Sequence, residues 1–155
     1  MAGPWDKLIH KIVDTHCHVH HYKDALSTVK KISAAGIKVH CVTVKPSEFN
    51  KCKKLFKDFP NIIPCIGLFP LNVKEEHKNL ELFFKHLQET RFVGEIGLDY
   101  SITNRDELSL QKEVFDSILS ACNKAGNKIL SIHSRRSAED VLKFIGMDFN
   151  GVAIM

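Results

Sequence analysis

Short runs rich in Val, Ile and Cys alternate along the chain with longer stretches whose apolar residues recur every three or four positions. The short runs are Ile12–Thr15, Lys38–Val44, Ile62–Gly67, Phe92–Ile96 and Ile129–Ile132, and Gly151–Met155 reads as the start of a sixth. Short, nearly continuous apolar runs are expected of parallel strands covered on both faces. Between them, Leu80, Phe83, Phe84 and Leu87 make one helical stripe, and Val114, Ile118, Ala121 and Cys122 make another. Start signals support these helices. Pro46-Ser47 opens one, Asn104 has Glu107 three residues on, and Ser137 has Asp140 three residues on, close to a capping box. Gly36, Gly126 and Gly146 stand where helices should end.

A succession of βα units implies an α/β fold with a parallel sheet. The even spacing of the strand ends favours a (β/α)8 barrel of the TIM type over a doubly wound sheet, whose topology reverses. No GxGxxG or Walker-type loop is present. A closed barrel needs eight strands. Five units and the start of a sixth strand can be read, so residues 1–155 are expected to form one incomplete barrel, the N-terminal portion of a larger one. Such a sheet leaves strand edges and an apolar face uncovered. Self-association, or a second chain that completes the barrel, is therefore expected.

Composition narrows the class. Hydrophobic residues make up 44% of the chain and charged residues 26%, enough for a core and a solvated surface. No apolar run approaches the length of a membrane span, and the N-terminus lacks the apolar core of a secretory signal. Five cysteines, an odd number with no CxxC pair, read as reduced, buried thiols. These features together predict a cytoplasmic or nuclear protein. The net charge of +4 permits nucleic-acid binding without requiring it. Lys51, Lys53, Lys54 and Lys57 cluster on the second helix and read as a solvated outer face. His10, His40, His77 and His86 lie in or beside ordinary elements and are assigned structural roles.

The candidate chemistry sits at the strand ends. His16 and His18 flank Cys17 at the end of the first strand, within Lys11–His18. Side chains alternate along a strand, so the two imidazoles point one way and can share a divalent metal. Cys17 then faces the helices, and Asp14, one step deeper on the histidines' side, can orient a ligand. Glu95 ends Phe92-Val93-Gly94-Glu95. A carboxylate buried there must pair or bind metal, and it can bridge two ions. Gly94 and Gly97 leave room around it, as close approach of a substrate backbone would require. Asp99 faces the same mouth, and His133 ends the fifth strand. Arg135 follows, and a guanidinium beside a metal site fits a phosphate clamp. Arg136 reads as a solvated charge, and His20 and His21 as loop residues near the mouth.

At these residues the chain resembles the TatD family of metal-dependent deoxyribonucleases. The resemblance rests on Asp14-Thr15-His16-Cys17-His18, on Val93-Gly94-Glu95-Ile96-Gly97-Leu98-Asp99-Tyr100 and on Ile132-His133-Ser134-Arg135, with Gln111 and Phe115 ahead of the fifth strand. It implies a (β/α)8 barrel holding one or two divalent ions, usually Mg²⁺, with Mn²⁺ or Zn²⁺ as alternatives. It implies hydrolysis of DNA phosphodiester bonds, often from the 3′ end. His16 and His18 would hold one ion, Glu95 would bridge, His133 would hold the second and serve with Glu95 in catalysis, and Arg135 and Asp99 would meet substrate. Two departures stand out. Phe69 takes the place of a histidine before Pro70, and the family's sixth-strand histidine and eighth-strand aspartate have no counterpart up to Met155. The competing readings are a non-catalytic half-barrel that binds metal or a partner, and an amidohydrolase-type enzyme acting on an ester or amide.

Overall fold

A computed structural model describes residues 12–155. Lys11 and His10, to which the sequence reading also assigned places, lie outside the described residues. Six parallel strands follow one another in chain order: β1 (Val13–Cys17), β2 (Lys38–Val42), β3 (Ile62–Cys65), β4 (Phe92–Asp99), β5 (Lys128–Arg135) and β6 (Gly151–Ile154). They form two three-stranded sheets, β1-β2-β3 and β4-β5-β6. A bridge between Ile66 and Val93, just past the end of β3, joins them. Sequential parallel order without reversal is the order of a barrel wall. β4 and β5 run three residues further toward the mouth than the apolar runs indicate, because Gly97, Leu98 and Asp99 continue to pair with His133, Ser134 and Arg135.

The helices are α1 (Ala25–Ala34), α2 (Pro46–Leu55), α3 (Val73–Glu76), α4 (Leu80–Leu87), α5 (Arg105–Ala125) and α6 (Ala138–Ile145). Asn104 Oδ1 accepts the Asp106 and Glu107 amides at 3.0 and 3.1 Å, the expected start of α5. Glu107 does not reach back to complete a box; it pairs with Lys74 at 2.6 Å. α2 begins at Pro46, and the two amides just before it, those of Val44 and Lys45, donate back to Glu48 Oε2, while Ser47 supplies no cap. The box expected at Ser137 is also absent. Ser137 Oγ donates instead to the Leu98 carbonyl at 2.8 Å, and Asp140 accepts the Tyr100 hydroxyl at 2.6 Å. The buried end of β4 needs a donor there, and that demand outweighs the helix cap. Gly126 and Gly146 close α5 and α6 with φ of 69° and 61°.

The main core lies between β4, β5 and the helices α4, α5 and α6, with Phe83, Leu87, Ile96, Phe115, Ile118 and Leu130 fully buried. A second cluster lies behind β1–β3 and includes Val19, Val29, Cys41, Cys52 and Phe56. Lys128 is buried at the start of β5, where its Nζ donates to the Leu87 and Thr90 carbonyls at 2.6 and 2.8 Å. The lysines of α2 are exposed, and Lys53 pairs with Glu89, as a solvated face should. All five cysteines are free, four of them buried. No helix among the described residues is long and apolar enough to cross a membrane.

Phe115 is 1% exposed and packs at the centre of the main core. Phe115→Ala should therefore cost about 3–5 kcal/mol of unfolding free energy. Urea denaturation checks this, and a loss below about 1 kcal/mol would mean that the core is not assembled this way.

Candidate metal centre

β4 is fixed at its middle before any side chain is considered. The Gly94 amide donates to the Ile66 carbonyl, the Glu95 amide to the Thr43 carbonyl, and Leu68 to the Glu95 carbonyl. The backbone of Glu95 is thus held by the chain just past β2 and just past β3 of the neighbouring sheet. Its side chain is buried, 8% exposed, at the mouth between the sheets. The space expected beside it for substrate is filled by the protein itself. A Cβ at Gly94 would meet Ser131 Cβ at 2.7 Å, and one at Gly97, where φ is 136°, would meet the His133 carbonyl at 2.1 Å. These glycines let β4 and β5 pack closely, which corrects the reading of an open approach for substrate.

His16 and His18 aim at one carboxylate oxygen. Their Nε2 atoms lie 3.6 and 3.1 Å from Glu95 Oε2. One potential ligand atom from each of the three residues falls within a set spanning no more than 4.8 Å. Each imidazole is oriented from behind. His16 Nδ1 is 2.7 Å from Ser131 Oγ, and His18 Nδ1 donates to the Val42 carbonyl at 2.9 Å. A carbonyl only accepts, so Nδ1 carries a proton there, and Nε2 is the nitrogen that faces Glu95 and could turn its free pair to an ion once its own proton is displaced. Asp14 contributes differently, accepting the His16 amide at 3.0 Å. Cys17 turns the other way, toward the cluster behind the sheet, as strand alternation requires.

His133 stands on the far side of Glu95. Its Nδ1 is 2.9 Å from Glu95 Oε1, and its Nε2 is 2.9 Å from Asp99 Oδ2. Phe69 packs edge-on against this ring with centroids 4.8 Å apart. Asp99 is 1% exposed. Its Oδ1 accepts the Ser101 amide at 2.8 Å, and the buried Gln111 Oε1 accepts the Asp99 amide at 2.9 Å. The structure therefore brings His16, His18, Glu95, His133 and Asp99 together. Arg135 is not part of this set: it is exposed, and among the described residues its side chain forms no ion pair. Ser131 and the Val42 carbonyl were missed from sequence, and Gln111, noted there only for the resemblance, was given no role at the site. Ser131 has a signal, since it lies two residues before His133 on β5 and so shares its face.

The electrostatics follow from this packing. Burial alone would raise the Glu95 pKa, but hydrogen bonds from His133, His16 and His18 outweigh it and hold the carboxyl far below its usual range. The hydrogen bond to Glu95 raises His18 against the opposing effect of burial. A separate hydrogen bond to Glu95 raises His133 against burial, with Asp99 adding to it. For Asp99, burial opposes and the Ser101 and His133 contacts prevail, lowering the pKa. Two oriented imidazoles and one ionised carboxylate are a donor set that suits a divalent cation, which would displace the shared protons.

The chain matches the model of a family described as TatD related DNase over residues 13–154. The chain belongs to the TatD family. It is 29% identical to an uncharacterized metal-dependent hydrolase of Buchnera aphidicola, the alignment covering 86% of this chain and 56% of that protein. The fold is similar to the crystal structure of YJJV, a TatD homologue from Escherichia coli K12, with a TM-score of 0.66 at 24% identity, over 86% of this chain and 54% of the other. The chain thus spans about half the length of these relatives, and the six strands among its described residues form an incomplete barrel of the TatD type.

Ser131→Ala removes the group that orients His16. It should weaken divalent-metal binding about 10–100-fold with the fold retained, as titration calorimetry would report. Unchanged affinity would mean that the His16–Ser131 contact has no bearing on the centre. The metal-free protein should also show a stability window. The raised His133 contributes stability that is complete below the ordinary imidazole value of 6.5 and is lost as pH rises through its folded value. The depressed Glu95 contributes stability that is complete above 4.5 and is lost as pH falls through its folded value. In chelator, the urea midpoint should therefore be highest between these two values, and His133→Gln should flatten its fall on the neutral side. A midpoint that climbs steadily through neutrality would contradict the pairing.

Proposed function

We propose that this barrel portion carries the centre of a metal-dependent hydrolase that cleaves DNA phosphodiester bonds, releasing nucleotides from the 3′ end. The observation behind this reading is the convergence of His16, His18 and Glu95 on one point, each imidazole braced from behind. The family description names a DNase, and the Buchnera aphidicola relative is named a metal-dependent hydrolase. Both support the class of reaction.

In this reading His16, His18 and Glu95 hold the ion, with Mg²⁺ favoured and Mn²⁺ or Zn²⁺ compatible with the donors. A second ion would take His133 as a ligand in exchange for one of its carboxylate contacts. When bound, the metal supplies Lewis-acid polarisation of a phosphoryl oxygen. The residues of the chain do the rest. Before an ion binds, hydrogen bonds from His133, His16 and His18 hold Glu95 ionised, so it offers a charged oxygen. His133, between Glu95 and Asp99, holds a proton at Nδ1 or Nε2 where one is needed beside a leaving oxygen. Asp99 keeps that ring in place and is itself fixed by Ser101 and Gln111. Arg135, exposed at the end of β5, is placed to meet a phosphate of the DNA strand.

The test is release of nucleotides from 3′-end-labelled single-stranded DNA by the purified chain. Release should require Mg²⁺ and stop with chelator. His133→Ala should slow it about 10²–10⁴-fold, and Glu95→Gln should do at least as much. Activity that survives both substitutions, or that hydrolyses esters or amides without competition from DNA, would overturn the proposal.

A further inference from the structure

The turn after β1 carries a second set of ligand types that the hydrolase centre does not use. His18 ends the mouth-facing pair, and the 3₁₀ turn Val19–His21 then rotates His20 to the opposite side of the sheet. There its ring is 7% exposed and its two nitrogens meet different chemistry. Nδ1 lies 3.3 Å from Cys41 Sγ on β2, and Nε2 lies 3.4 Å from Glu48 Oε2 on α2. Cys52, one helical turn after Glu48, brings a second thiol to the same place. Cys41 and Cys52 are 0% and 1% exposed.

We propose that His20 Nδ1, Cys41 Sγ and Cys52 Sγ form a separate thiophilic metal site, taking Zn²⁺, behind the His16–His18–Glu95 centre. The three donor atoms lie within 4.8 Å of one another. Ligands on a tetrahedral zinc with bonds of about 2.0–2.3 Å stand roughly 3.6 Å apart, so small side-chain adjustments close the set. Two soft sulfurs and an imidazole select zinc over magnesium. The decisive feature is the other side of the ring. A metal-bound histidine characteristically donates its second N–H to a carboxylate, and His20 has Glu48 in that position. Glu48 is itself immobilised by the Val44 and Lys45 amides and by His21 Nε2 at 3.2 Å. Three protein donors leave one corner for water. Binding releases the two thiol protons to solvent and involves no change of oxidation state. The site is built from the turn after β1, from β2 and from α2, so it would clamp the turn that directly follows His18. It does not depend on the DNA reading.

The full chain titrated with Co²⁺, a spectroscopic substitute for Zn²⁺, tests this. Thiolate-to-cobalt charge-transfer absorption should grow in, be lost in Cys41→Ser and in Cys52→Ser, and persist in Cys17→Ser, Cys122→Ser and Glu95→Gln. Glu48→Gln should keep the band but weaken binding about 10–100-fold. X-ray absorption of the wild-type chain loaded with two equivalents of Zn²⁺ needs no variant to fold, and should show sulfur at about 2.3 Å. Absence of the band and of sulfur scattering would overturn the site, as would a band that depends on Cys17 or Cys122. No DNA hydrolysis by the wild-type chain, with the band intact, would overturn the nuclease reading and leave the zinc site standing.

Discussion

The Glu95 carboxylate is removed from water and faces imidazoles from two strands of opposite sheets. A lone buried carboxylate costs several kcal/mol, and the cost is offset only if charge and hydrogen bonds come to meet it. His16 and His18 come from β1, in one sheet, and His133 from β5, in the other. The main chain at Glu95 is tied to Thr43 and Leu68 of the first sheet while its own strand belongs to the second. The point of greatest electrostatic demand is thus also where the two halves of the barrel wall are joined.

The rest of the site can be seen as support for that arrangement. Gly94 and Gly97 bring β5 close enough for His133 to reach Glu95. Gln111, on a helix that otherwise presents apolar residues to the core, reaches in to hold the Asp99 amide. Phe69 closes one side of the His133 ring, so that wall of the site is apolar and offers no donor.

The strands and their order were legible in the chain because parallel strands are apolar throughout and the turn residues fall between them. The convergence of His16, His18, Glu95 and His133 was legible because each stands at the end of such a run. What escaped had distant causes. Ser131 acts on a residue 115 positions away, and Val42 acts through an atom every residue possesses. The roles of Gly94 and Gly97 were inverted, because a missing side chain says that space is needed and not who fills it. Ser137 and Asp140 have the spacing of a box, but the Leu98 carbonyl and the Tyr100 hydroxyl claimed them first. The division into two sheets joined at Ile66 and Val93 left no mark in hydrophobic periodicity at all.

The two histidines of β1 are braced by unlike atoms. His16 leans on a hydroxyl, which a single exchange of side chain can delete. His18 leans on a main-chain carbonyl, which no exchange of side chain at position 42 can remove. The geometry of one ligand is therefore written in the identity of a particular residue, while that of the other is written in the path of the backbone. Under drift of the sequence the first is open to loss, and the second persists for as long as β1 and β2 keep their register.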